Sequence, residues 1–209
     1  MFDKEFYPTP HEVIAEMLRH ADIKKENYIL EPSAGKGDIL DYISKVNRAY
    51  ETPKLYAIEK HPELRMILNE KNYKVIGDDF LEYNSDMHFD YIIMNPPFSN
   101  GDEHLLKAWE ILHTGTIICL LNSETVRNQH TKRRKLLNGI IANNGEVFEL
   151  GRAFDTAERK TNVDVSMVIL KKVGEDRFKF DIKYDKEQKT TLDEETLNSQ
   201  IATNDVISN

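Results

Sequence analysis

The tetrapeptide Asn95-Pro96-Pro97-Phe98 stands directly behind the apolar run Phe89-Asp90-Tyr91-Ile92-Ile93-Met94. A strand that stops in two prolines and an aromatic ring makes a rigid ledge at the carboxyl end of a sheet. The ledge carries an amide side chain, the backbone carbonyl of Pro96 and a flat aromatic face. Those parts suit the holding of a planar exocyclic amine, with two acceptors for its two N–H groups and a ring to set its plane. Pro-Pro after a strand is otherwise only a turn, so the ledge gains meaning from what precedes it.

Three earlier segments bear on it. Glu31-Pro32-Ser33-Ala34-Gly35-Lys36-Gly37-Asp38 joins a predicted strand to a predicted helix, and glycine at 35 and 37 lets the backbone turn tightly near a ligand. A P-loop would need Ser or Thr after Gly-Lys, and Gly37 stands there instead. A dinucleotide fingerprint would need a third glycine where Leu40 stands. The acidic Glu31 before the glycines repels phosphate and favours an ammonium or sulfonium ligand. Glu59, closing Tyr56-Ala57-Ile58-Glu59-Lys60, is placed to accept ribose hydroxyls. A nucleoside without phosphate and with positive charge is S-adenosylmethionine. Gly77-Asp78-Asp79-Phe80-Leu81 follows the next strand, where Asp79 or its competitor Asp78 would accept from an adenine amine and Phe80 would cover the ring.

Short β-like runs alternate with helical stretches, the pattern of βαβ units around a mainly parallel sheet. A helix over His11–Ala21 is expected from Val13, Ile14, Met17 and Leu18 on one face, with Pro10 at its opening and Thr9 as its cap. Strands are expected at 28–30, 54–58, 74–76, 89–94 and 116–121, with helices near 38–50, 62–71 and 103–113. Glu146–Leu150 and Val163–Lys171 read as a hairpin through loop Phe154–Asn162. From Val173 the chain turns polar; 178–184 alternates like an edge strand, and the stretch after Lys189 has the composition of disorder.

The 209 residues suit one domain with a real core. No apolar run approaches the roughly 20 residues that cross a bilayer, and the amino terminus lacks the pattern of a signal peptide. Cys119, the only cysteine, lies in Thr116-Ile117-Ile118-Cys119-Leu120-Leu121 and reads as a core residue; a reducing cytoplasm is the default. No Cys-His cluster has metal-ligand spacing, so no metal is expected. The net charge of −8 argues against indiscriminate coating of nucleic acid. A local basic patch, Arg127-Asn128-Gln129-His130-Thr131-Lys132-Arg133-Arg134-Lys135, is either a solvated helix face or a phosphate contact. Its position after a strand end favours phosphate, through Arg127, Lys132, Arg133, Arg134 and Lys135.

Taken in order, these segments resemble the S-adenosylmethionine-dependent methyltransferases, and within them the adenine-N6 DNA methyltransferases, from Phe6 to about Lys171. Tyr7-Pro8-Thr9-Pro10 resembles the family's amino-terminal cofactor segment, the glycine turn its first motif, and Asn95–Phe98 its catalytic motif. The resemblance implies an α/β, Rossmann-like methyltransferase fold: a mainly parallel seven-stranded sheet with an antiparallel last strand and helices on both faces. It implies a catalytic domain over 1–172 with a short polar tail over 173–209. It implies S-adenosylmethionine held by Tyr7, Thr9, Glu31, Ser33, Gly35, Gly37, Glu59, Asp79, Phe80 and Asn95, and it selects Asp79 over Asp78. Asn95, Pro96, Pro97 and Phe98 are then the catalytic set for methyl transfer to adenine N6, the base being flipped from a duplex or presented on a single strand.

The departure from that family is the lack of a sizeable target-recognition region after the catalytic half. Loose recognition, a separate specificity subunit or a structured RNA substrate would each account for it. Methylation of a protein glutamine amide, which uses Asn-Pro-Pro with Tyr, is a rival disfavoured by Phe98. A silent binding module is disfavoured by the intact glycine turn and ledge. Target sequence and oligomeric state are not legible.

Overall fold

A computed structural model describes residues 7–46, 53–84, 86–155 and 163–174. In chain order the elements are α1 (His11–Arg19), β1 (Tyr28–Glu31), α2 (Asp38–Val46), β2 (Lys54–Ile58), α3 (Pro62–Glu70) and β3 (Lys74–Gly77). They continue with β4 (Tyr91–Met94), α4 (Gly101–Ile111), β5 (Gly115–Asn122), α5 (Ser123–Arg127), α6 (Lys132–Asn144), β6 (Gly145–Gly151) and β7 (Val165–Lys172).

One seven-stranded sheet runs in the order β3-β2-β1-β4-β5-β7-β6. The first five strands pair in parallel, joined by crossover connections that are helical except between β3 and β4. β7 runs antiparallel to both neighbours, with Gly115 opposite Lys172 and Asn122 opposite Val165. The expected sheet, with its antiparallel last strand, is the one found.

Side chains alternate across each strand, so adjacent residues feed opposite layers. Leu30, Ile92, Ile117 and Cys119 pack with Leu105 and Ala108 of α4 and Leu137 and Ile141 of α6. Ile29, Ile93, Ile118 and Leu120 face the other way, toward Val13, Ile14 and Met17 of α1 and Ile39 and Ile43 of α2. Cys119 is wholly buried, and burial pushes its thiol well above the ordinary range, consistent with a core role.

Several boundaries differ from expectation. α1 is capped by Pro10, not Thr9, and has no side-chain cap; the Thr9 hydroxyl is engaged elsewhere. α6 carries the helix face offered for the basic segment well beyond Lys135. Its first turn is wholly basic and Gly139 stands in its middle, which masks the apolar pair Leu137 and Ile141 that it buries. Thr131 caps it, accepting from Arg134 N at 3.1 Å. The chain divides into two units, Met1–Val173 and Gly174–Asn209. The expected strand at 178–184, the tail beyond it, the end of the helix placed at 38–50 and most of the loop at 154–162 lie outside the described residues. Among the described residues no helix is long and apolar enough to cross a membrane.

Candidate active site

The carboxyl ends of β1 to β4 open into a cavity of about 440 Å³. Crossover connections leave a crevice at that edge of an open α/β sheet, and ligands bind there. Of the expected cofactor residues, Tyr7, Thr9, Glu31, Ser33, Gly35, Glu59, Asp79, Phe80 and Asn95 line it, as do Pro96 and Pro97.

At the end of β1, Glu31 is 3% exposed and its Oε2 has no hydrogen-bond partner. Burial pushes its carboxyl well above the ordinary 4.5, and Asp38, then Glu59 and Asp41, push the same way; the Leu40 N–H opposes them. A buried carboxyl with an open acceptor is fitted to meet a cation, which would favour its charged form. Glu59 ties two elements together: Oε2 accepts from Gly35 N and Oε1 from His61 N, each at 2.7 Å. The carboxylate that follows β2 therefore fixes the β1 turn while lining the cavity.

The two glycines do different work. Gly35, at φ 55°, lines the cavity. Gly37, at φ 85°, does not; a Cβ there would stand 2.9 Å from Leu68 Cδ2 and 3.3 Å from Tyr73 Cε2. Its glycine is required by the packing of α3 and Tyr73 against the turn. Gly37, read from the sequence as a cofactor contact, thus stands outside the cavity lining.

At the end of β3, Asp79 Oδ2 accepts from Lys60 Nζ at 2.7 Å and Oδ1 from Leu81 N at 3.0 Å. The Lys60 hydrogen bond holds its carboxyl below the usual value. Asp78 is exposed and accepts from Asp79 N. Phe80 is buried in the cavity wall against the His104 ring, 6.0 Å between centroids.

At the ledge, Asn95 Nδ2 donates to the Tyr7 carbonyl at 3.0 Å and to Thr9 Oγ1 at 3.1 Å. A carbonyl can only accept, so this pairing fixes which end of the amide is nitrogen. With both amide hydrogens committed, Oδ1 is the end available to a ligand. Asn100 N–H takes the Pro97 carbonyl at 3.2 Å, while no described residue donates to the Pro96 carbonyl. Phe98 does not line the cavity. Its ring stacks on Tyr7 (5.9 Å, 21°) and meets the edge of the fully buried Phe154 (5.7 Å, 85°).

The basic segment is drawn into the protein's own acids. Arg127 pairs with Glu149 at 2.9 Å, Arg133 with Asp102 at 3.0 Å and Glu103 at 3.3 Å, and Arg134 lies 3.9 Å from Asp102. Lys132 and Lys135 are exposed. The pairing with Asp102, at the start of α4, brings this segment to the same edge of the sheet as Asn95.

Sequence reasoning missed Lys60, His61, Asn100 and His104, all of which line the cavity. Lys60 and His61 directly follow Glu59 and could have been read with it. Asn100 and His104 carry no such signal, because their place depends on where α4 begins. His104 is 8% exposed, and burial lowers its pKa. Among the described residues no group of three or more His, Cys, Asp or Glu could hold a metal ion.

Residues 51–152, just under half of the chain, match the family model of the methyltransferase small domain. A comparison with curated proteins gave no match. Among solved structures, the chain is similar to the type I restriction-modification methyltransferase subunit from Streptococcus thermophilus: TM-score 0.64, 19% identity, covering 81% of this chain and 46% of that one. It is similar to a dimethyladenosine transferase from Plasmodium falciparum at TM-score 0.59 and 15% identity, covering 79% and 63%. It is also similar to the 23S rRNA methyltransferase ErmE at TM-score 0.57 and 17% identity, covering 81% and 71%. The chain thus spans about half of the first and under two thirds of the second. The fold is that of the Rossmann-like methyltransferases, and fold and family model together imply S-adenosylmethionine as the cofactor.

Proposed function

We propose that the chain transfers a methyl group from S-adenosylmethionine to the N6 amine of adenine in nucleic acid, with DNA as the preferred substrate. The observation that carries this reading is the locked amide of Asn95, whose hydrogens are spent on Tyr7 and Thr9 so that Oδ1 is left to accept.

The cavity fits the cofactor by its own chemistry. Glu31 offers a buried, unpartnered acceptor to the ammonium and sulfonium end, Glu59 offers carboxylate lone pairs to the ribose hydroxyls, and Asp79 and Phe80 border the adenine. When bound there, S-adenosylmethionine supplies a methyl group activated by the neighbouring sulfonium centre.

The remaining work is done by the ledge. Adenine N6 is a poor nucleophile because its lone pair is delocalised into the ring. Asn95 Oδ1 and the Pro96 carbonyl accept its two N–H groups and hold that density on nitrogen. Pro96 and Pro97 keep the two acceptors at fixed separation, which makes the contribution chiefly one of orientation. After transfer, the surplus proton on N6 passes to water. Phe98, stacked on Tyr7 and backed by Phe154, sets the plane at the ledge's outer end; stacking of a target base requires access to the Phe98 face. Lys132 and Lys135 supply phosphate contacts, with Arg127, Arg133 and Arg134 joining when their acidic partners release them.

RNA is the second reading, favoured by the likeness to an rRNA methyltransferase. The likeness to a type I restriction-modification methyltransferase subunit supports a partner subunit that supplies sequence specificity. The test is incubation with cofactor labelled in the methyl group and, separately, DNA, RNA and protein, followed by nucleoside digestion. Label in N6-methyladenine from DNA, lost in Asn95→Ala, is expected. Label confined to RNA would move the substrate, and label in protein or nowhere would overturn the proposal.

A further inference from the structure

The turn leaving β4 carries a second amide, Asn100, that the chemistry above does not use. It occupies the N-cap position of α4, where an Asn side chain ordinarily accepts from a free N–H of the first turn. Here it makes no such bond. Its Oδ1 is buried without a donor, as Glu31 Oε2 is, and both residues line the same cavity. An acceptor kept dry and unpaired is costly to the protein alone, which directs attention to a ligand that supplies the hydrogen.

The backbone fixes which part of the cavity Asn100 serves. Its carbonyl accepts from Glu103 N at 3.1 Å and His104 N at 3.2 Å, and His104 Nδ1 stands 3.1 Å from it. The His104 ring in turn meets Phe80 at 6.0 Å. Asn100 therefore belongs to the wall built around Phe80, the end assigned above to the nucleobase. The other acceptor there, Asp79, has each oxygen engaged already, by Lys60 and by Leu81 N.

We infer that Asn100 Oδ1 is a specificity-determining acceptor for the exocyclic amine of the cofactor's purine, so that the site selects a 6-amino over a 6-oxo ring. This rests on the S-adenosylmethionine reading of the cavity. An adenine amine has two N–H groups, so Asn100 and Asp79 need not compete for one. A 6-oxo purine would set oxygen against Oδ1, acceptor against acceptor.

Titration calorimetry of the full chain with S-adenosylhomocysteine and its 6-oxo counterpart, S-inosylhomocysteine, tests this. The unaltered protein should prefer the adenosyl ligand by about tenfold or more, the loss expected when a buried polar group goes unpaired. Asn100→Ala should shrink that preference by about fivefold or more, through weaker adenosyl binding and relief of the inosyl ligand, with Asp79 keeping a remainder, while Asn100→Asp, which keeps an acceptor, should retain it in full. Should the alanine variant not fold, Asn100→Ser, able to cap α4 but too short to reach the ring, should show the same loss. A preference undiminished in Asn100→Ala or Asn100→Ser, or a parallel weakening of both ligands, overturns the inference. Binding of neither ligand by the unaltered protein removes the nucleoside reading itself, and the inference falls with it.

Discussion

Replacing Asn95 by alanine and Thr9 by valine separates the two tasks assigned to the ledge amide. The Asn95 side chain makes two hydrogen bonds to the Tyr7–Thr9 segment. At about 1 kcal/mol net for each, their loss removes about 2 kcal/mol from the order of a segment that lines the cofactor cavity, or about 30-fold in affinity. Asn95→Ala also deletes the acceptor for the amine, a loss felt in the transition state and worth on the order of 100-fold in rate. Thr9→Val removes only one of the two acceptors of Nδ2. The Tyr7 carbonyl still orients the amide, so affinity should fall by about fivefold with the rate at saturating cofactor nearly intact. The measurements are calorimetric affinity for S-adenosylhomocysteine and single-turnover methyl transfer at saturating cofactor. The reasoning is refuted if Asn95→Ala transfers methyl groups at close to the unaltered rate, or if Thr9→Val loses as much rate as Asn95→Ala.

Three further outcomes are expected. Gly37→Ala forces a side chain into φ 85° and against Leu68 and Tyr73, so it should destabilise the protein by roughly 1–3 kcal/mol; an unchanged thermal midpoint would contradict this. Glu31 has a raised folded-state pKa, so the folded form holds the proton that the unfolded chain releases, and its contribution to stability falls as pH rises from about 4.5 toward the folded value. Glu31→Gln should therefore stabilise the ligand-free protein at neutral pH and flatten melting temperature against pH, while weakening S-adenosylmethionine binding; a steeper pH dependence in the variant would count against it. Lys132→Ala with Lys135→Ala should lower the salt dependence of nucleic-acid affinity by about two phosphate contacts, and an unchanged slope would remove these lysines from the interface.

What could be read from the sequence was what local chemistry decides. The β4 run and its two prolines announce a strand and its stop, and the spacing from Glu31 to Glu59 to Asp79 follows from one carboxyl end per βα unit. The paired strands β6 and β7 were visible as apolar runs. The hidden features depend on distant partners. Arg133 looks like a free cation until Asp102 is brought beside it by the docking of α6 on α4. Phe98 looks like an open ring until Tyr7 and Phe154 flank it. Gly37 looks like a ligand-binding glycine until Leu68 occupies the space next to it. Asn100 and His104 enter the cavity through the start of α4, and nothing in their immediate neighbours tells that.

The position of β7 between β5 and β6 imposes an order on assembly. As the chain leaves the ribosome, everything through residue 122 can complete the five parallel strands before β6 has a neighbour. β6 must then wait for residues 165–172 to be made and threaded in beside β5. During that interval the outer rim of β5 is open to pairing with any other extended chain. The nascent protein is therefore most exposed to misassembly after its parallel strands have paired and before β7 closes the rim of β5.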